Sequence, residues 1–193
     1  MVALFFKVLH VQFIEQSPEY RAGFALYITL NLSMPLSRTS HATELLRDYW
    51  SGQPRLRPAV GFSSQEIAQF QNQHGLMLPI DFADYVEHLD GLAKPTHGDE
   101  WGQIDREGFE FYSLHNMRPT PQSSRYFVFG SWVLGLLDFA ICLDPLVSNG
   151  EVVSVRDSLH VVATTFTEFA ELYVTDSPKI YACGTNAIYA PQV

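Results

Sequence analysis

At 193 residues the chain has room for one domain, and an apolar share of 47% is enough to bury a core. Twelve basic side chains against 21 acidic ones give a net charge of −9, which argues against nucleic acid as a partner, because phosphate neutralisation needs clustered Lys and Arg. No uninterrupted apolar run of about 18 residues occurs, so no membrane partner is expected. Cys142 and Cys183 form no CxxC and no disulfide framework, which points to a reduced, cytoplasmic setting.

Residues 1–33 differ in character from the rest of the chain. They are aromatic and aliphatic, lack a clear period, and carry Lys7, Glu15, Glu19 and Arg21 scattered among them. Glu15 and Glu19 break the apolar core that a signal peptide would need. They read as an uncertain N-terminal extension, either an added strand and loop or a misassigned start. The second is preferred, because the polar leader from Met34 into the first helix looks like a natural beginning. A single domain is expected over 34–175, followed by an irregular tail over 176–193.

Leu45, Leu46, Tyr49 and Trp50 fall at helical spacing and predict a first helix from Ala42 to about Trp50. Pro54 and Pro58 then keep the connector extended. The run from Phe62 to Leu92 encodes two more helices with their punctuation. Ser63 and Glu66 make a capping box, with Phe62 and Ile67 at the positions of a hydrophobic staple. Gly75 supplies a left-handed stop, and Pro79 opens the next helix. Phe82, Tyr85, Val86 and Leu89 lie on one face of that helix before Gly91 ends it.

After Leu92 the chain passes through a polar segment from Lys94 to Glu107 and turns strand-like. Strands are predicted at Phe109–Leu114, Tyr126–Trp132, Phe139–Leu143, Glu151–Val155 and Leu159–Thr164. The apolar run bounded by Asp138 and Asp144 reads as a central strand, and Asn149-Gly150 signals a turn before Glu151. Thr165 and Glu168 repeat the capping pattern and open a last helix with Phe166, Phe169, Ala170 and Tyr173 inward. Helices, then a meander, then a closing helix imply an α+β fold, its helices packed on one face of a mainly antiparallel sheet.

Charge is placed unevenly. Between Asp81 and Glu110 stand nine acids (Asp81, Asp84, Glu87, Asp90, Asp99, Glu100, Asp105, Glu107 and Glu110) against Lys94 and Arg106 alone. An acidic run ordinarily makes a solvated surface. Read functionally, it makes a surface that draws in a basic protein. Trp101, set among Asp99 and Glu100, either anchors such an interface or folds back as a lid over the sheet. Asp81 and Asp84 alternate with the apolar stripe of their helix and are expected to point to water. Candidate partner-binding residues are Asp81, Asp84, Glu87, Asp99, Glu100, Trp101, Asp105 and Glu107.

Catalytic signatures are missing from the sequence. No two of the seven histidines stand three to five residues apart, and neither HExxH nor finger spacing occurs. His97, Asp99 and Glu100 are a grouping that suits a cation, against the ordinary reading of a polar loop. There is no GxSxG elbow, Walker loop or GxGxxG. No enzyme activity, cofactor or metal is expected.

The helix ending at Trp50, the stretch Phe62-Ser-Ser-Gln-Glu-Ile-Ala-Gln-Phe-Gln71, Gly75-Leu-Met-Leu-Pro-Ile-Asp-Phe82 and Leu89-Asp-Gly91 together resemble the SUKH superfamily. The strand Phe139–Asp144, the turn at Asn149-Gly150-Glu151-Val152 and the segment Phe166-Thr-Glu-Phe-Ala-Glu-Leu172 resemble the second half of that family, so that the likeness runs from Ala42 to Thr175. Two departures stand out: Asp90-Gly91-Leu92 replaces the Asn-Gly-Gly of many members, and residues 1–33 have no counterpart. The family includes yeast cell-wall synthesis regulators and bacterial immunity proteins and has no shared catalytic set. The resemblance implies a bacterial, non-catalytic immunity protein that neutralises a polymorphic toxin, typically a nuclease, by blocking its surface. A scaffold or regulatory binding module acting on an endogenous protein is the alternative it implies.

Overall fold

In the computed structural model, residues 39–53, 56–92, 108–133, 135–146 and 149–181 are described, and they belong to one compact unit beginning at Thr39. The extension 1–33 and the start at Met34 lie outside the described residues. The elements run α1 (His41–Ser51), α2 (Ser64–His74), α3 (Ile80–His88), β1 (Phe109–Phe111), a 3₁₀ turn (Leu114–Asn116), β2 (Arg118–Thr120), β3 (Ser123–Trp132), β4 (Leu137–Cys142), β5 (Val152–Val155), β6 (Leu159–Ala163), α4 (Phe166–Val174) and α5 (Pro178–Tyr181).

Each of the longer helices begins where side-chain chemistry tells it to. Ser40 caps α1 by accepting from the amide of Thr43. Ser63 and Glu66 form the expected capping box at α2, with Glu66 Oε2 accepting from Ser63 N at 2.9 Å. Gly75 ends α2 at φ 65°, a conformation that a Cβ would oppose. Pro79, which donates no amide hydrogen, immediately precedes α3. Thr165 caps α4 by accepting from Glu168 N, while Glu168 reaches past it to the amide and hydroxyl of Thr164, both at 2.8 Å.

The sheet is antiparallel throughout, in the order β1-β3-β4-β5-β6, with β2 pairing β3 beside β1. β4 is the central strand, as the apolar run between Asp138 and Asp144 predicts. Phe109, Phe111, Phe127, Phe129, Phe139, Ile141, Val152 and Val162 join the buried faces of α1 to α4 in one core. Its aromatic centre interlocks edge to face, with Phe82 on Phe166 at 4.8 Å, Trp50 on Phe111 at 5.1 Å and Phe129 on Phe169 at 5.1 Å. Trp50 Nε1 donates to the Tyr173 hydroxyl at 3.1 Å and so ties α1 to α4 within it. Val128, Ala140, Val153 and Val155 form a smaller apolar group apart from this core.

Three differences from the expected elements have local causes. The strand expected to reach Leu114 stops at Phe111, where the amide of Leu114 turns to the buried carboxylate of Asp90 at 2.8 Å and a 3₁₀ turn begins. β2 is absent from the predicted strands, because Pro119 speaks against one; it is tolerated at an edge position. Within the tail expected to be irregular, Pro178–Tyr181 forms a helical turn whose Ile180 is fully buried.

Candidate functional site

Of the acids singled out in the sequence, Asp81, Asp84 and Glu87 stand at i, i+3 and i+6 along α3. Asp81 and Asp84 do not simply face water. Asp81 Oδ2 accepts from Thr167 N at 2.8 Å and from its hydroxyl at 2.9 Å, at the first turn of α4. Asp84 Oδ2 accepts from Ser40 N at 2.9 Å and from the Thr43 hydroxyl, at the first turn of α1. Glu87 Oε1 accepts from the Ser64 hydroxyl at 2.8 Å, at the first residue of α2, and remains exposed. One row of carboxylates therefore meets the N-termini of three helices, where unpaired amides and the helix dipole favour negative charge.

This corrects the expectation for Asp81 and Asp84, both of which are half-buried and committed to holding helices together. Helical periodicity places them off the apolar stripe, but it does not register that amides of other helices lie beside them. Burial opposes the charge on Asp84, yet the bonds from Thr43 and Ser40 outweigh it and hold the carboxyl below its ordinary value. Asp99, Glu100, Trp101, Asp105 and Glu107, with the cation grouping at His97, lie outside the described residues.

The partners of the α3 acids matter electrostatically. They are hydroxyls and amides, and among the described residues no Lys or Arg pairs with Asp81, Asp84 or Glu87; His88 alone approaches Asp84, at 3.3 Å. Among the described residues, the α3 carboxylates are thus held by hydroxyls and amides and not by Lys or Arg, so their negative charge is kept.

Asp90 is a different case. It is 3% exposed, sits at φ 37°, and accepts from Leu114 N at 2.8 Å. Burial pushes its carboxyl up to about 6. Close by, the Tyr85 hydroxyl is fully buried, and burial, with the charge of Asp90 beside it, raises it well above its ordinary range. For a carboxyl raised in the fold, the associated stability is complete below the unfolded value and lost as pH rises through about 6. Asp90→Asn keeps the acceptor for Leu114 N and tolerates a positive φ. It is expected to stabilise the protein by about 1–2 kcal/mol at pH 7 and to flatten the stability profile between about pH 4 and 7, measured by urea denaturation across that range.

Elsewhere, burial raises the Asp138 carboxyl despite Arg118 at 3.3 Å, and Asp138 Oδ1 and the neighbouring Ser131 Oγ are buried without hydrogen-bond partners. No group of three or more His, Cys, Asp or Glu suited to a metal ion occurs among the described residues, and no helix there is long and apolar enough to cross a membrane.

One surface feature is not among the residues singled out from the sequence. The turn between β3 and β4 carries Val133, 44% exposed, and Leu136, 48% exposed. The signal was available as an apolar run where a hairpin turn is normally polar.

A scan of protein-family models gives no match to this chain, and a search of curated proteins finds no similar sequence.

Proposed function

We propose that the chain is an immunity protein of the SUKH type, which works without catalysis by covering the surface of a basic, nuclease-like toxin in the cytoplasm. The observation that carries this reading is the concentration of nine acids against two bases between Asp81 and Glu110. A nuclease presents a basic cleft shaped for phosphate, and an acidic protein that docks over it denies the nucleic acid access.

Within this reading the described acids divide by their surroundings. Asp81, Asp84 and Asp90 are tied inward and supply long-range field more than contact. Glu87 is exposed on α3, and Glu110 is half-exposed on β1. Co-expression with the toxin domain encoded next to this chain's gene tests the reading. Cells are expected to survive only when the chain is present, and the tagged chain is expected to retain the toxin domain at about 50 mM salt, where charge attraction is weakly screened. Absence of both protection and retention overturns the proposal.

A further inference from the structure

Resting on that reading, we propose that the β3–β4 turn is the apolar anchor of the interface, with Val133 and Leu136 inserting into an apolar pocket framed by the toxin's basic surface. Two penalties coincide at this turn. Val133 has φ 49°, a left-handed conformation that a β-branched residue resists, and its side chain stays 44% exposed. Leu136, whose amide donates to Val133 O at 3.2 Å to close the turn, is 48% exposed. Local strain that the rest of the fold must sustain is a mark of sites kept for something other than stability.

The turn is also open and held in place. A Cβ added at Gly135 would meet nothing within 4 Å, so the tip stands clear of the described domain. Val133 N donates to Gly108 O at 2.8 Å, which fixes the tip against the point where the acidic stretch enters β1. Glu110, the last acid of that stretch, pairs in register with Ser131, two residues from Val133. An apolar tip with an acidic flank fits a pocket with a basic rim. A second copy of the chain fits poorly, because two molecules of charge −9 would bring like flanks together. Val60, Ile80, Leu146 and Val161 are also exposed, but none combines exposure with a positive φ.

The test uses the full chain, the toxin domain encoded by the adjacent gene, and the variants Val133→Asn and Val133→Asn/Leu136→Ser. Asparagine accepts the left-handed conformation, so Val133→Asn is expected to raise the melting temperature by roughly 2–4 °C. The double variant is expected to weaken binding of the toxin domain by tenfold or more in calorimetric titration. A fall in melting temperature for Val133→Asn overturns the strain argument and assigns the tip a structural role. Unchanged affinity of the double variant, with wild type binding, overturns the anchor and leaves the immunity reading standing. Failure of the wild type to bind overturns both. Self-association of the wild type that the double variant loses, seen by sedimentation, overturns the anchor in favour of a dimer contact.

Discussion

Gly61→Ala is expected to lower the melting temperature by on the order of 10 °C, through a loss of about 3–5 kcal/mol. A Cβ at this position would lie 2.0 Å from the carbonyl oxygen of Glu87 and 2.7 Å from the amide nitrogen of His88. Both are backbone atoms near the end of α3, so no rotamer change relieves the overlap. The close approach has a purpose in the fold. Residues 58–62 run alongside the end of α3, with Phe62 N donating to Val86 O at 3.0 Å and Ala59 N to Gly91 O at 3.0 Å. Displacing that connector also displaces the helix whose carboxylates meet α1, α2 and α4. Thermal denaturation followed by circular dichroism reads the effect. A change below about 1 kcal/mol would show that the connector packs loosely enough against α3 to absorb a methyl group.

Asp84→Ala is expected to cost about 2 kcal/mol, or roughly 4–8 °C in melting temperature, while Glu87→Ala costs less than about 0.5 kcal/mol. The difference lies in what is left behind. Without Asp84, the amide of Ser40 and the hydroxyl of Thr43 lose a shared acceptor in a half-buried position, and the cap of α1 loosens with them. Glu87 leaves only an exposed Ser64 hydroxyl, which water satisfies. The pH dependence has a definite sign. The Asp84 carboxyl is held below its ordinary value, so its contribution is complete above the unfolded carboxylate range and is lost as pH falls through the folded value. The penalty of Asp84→Ala is therefore expected to be level from about pH 5 to 8 and to shrink below about pH 4. Equal penalties for Asp84→Ala and Glu87→Ala would contradict the role assigned to the row.

Much of the fold was legible because its boundaries are chemical. Ser63, Gly75 and Thr165 act within one helical turn of where they stand in sequence, and Leu45, Leu46, Tyr49 and Trp50 keep helical spacing, so reading them in order gives α1, α2 and α4 nearly as observed. The apolar run bounded by Asp138 and Asp144 likewise gives β4 its central place, buried along nearly its whole length. What escaped depends on distant partners. Pro119 argues against a strand until β3 is seen to offer an edge on which it fits. Gly61 looks like an ordinary loop glycine until α3 lies against it. Asp81 and Asp84 look like solvent-facing acids because periodicity records polarity alone. Only the assembled fold brings the amides of Thr167 and Ser40 to them. The acidic stretch itself was plain in the sequence. Which of its carboxylates remain outward was not, since the same residue type serves a helix terminus or a partner equally well.

The central claim, an acidic surface that captures a basic toxin by electrostatic attraction and shape, is tested most directly by the association rate constant at different ionic strengths. Stopped-flow mixing of the full chain with the toxin domain is expected to give a rate constant that falls at least tenfold between about 20 and 300 mM NaCl, with the dissociation rate changing far less. An association rate indifferent to salt would contradict the claim even if the two proteins bind.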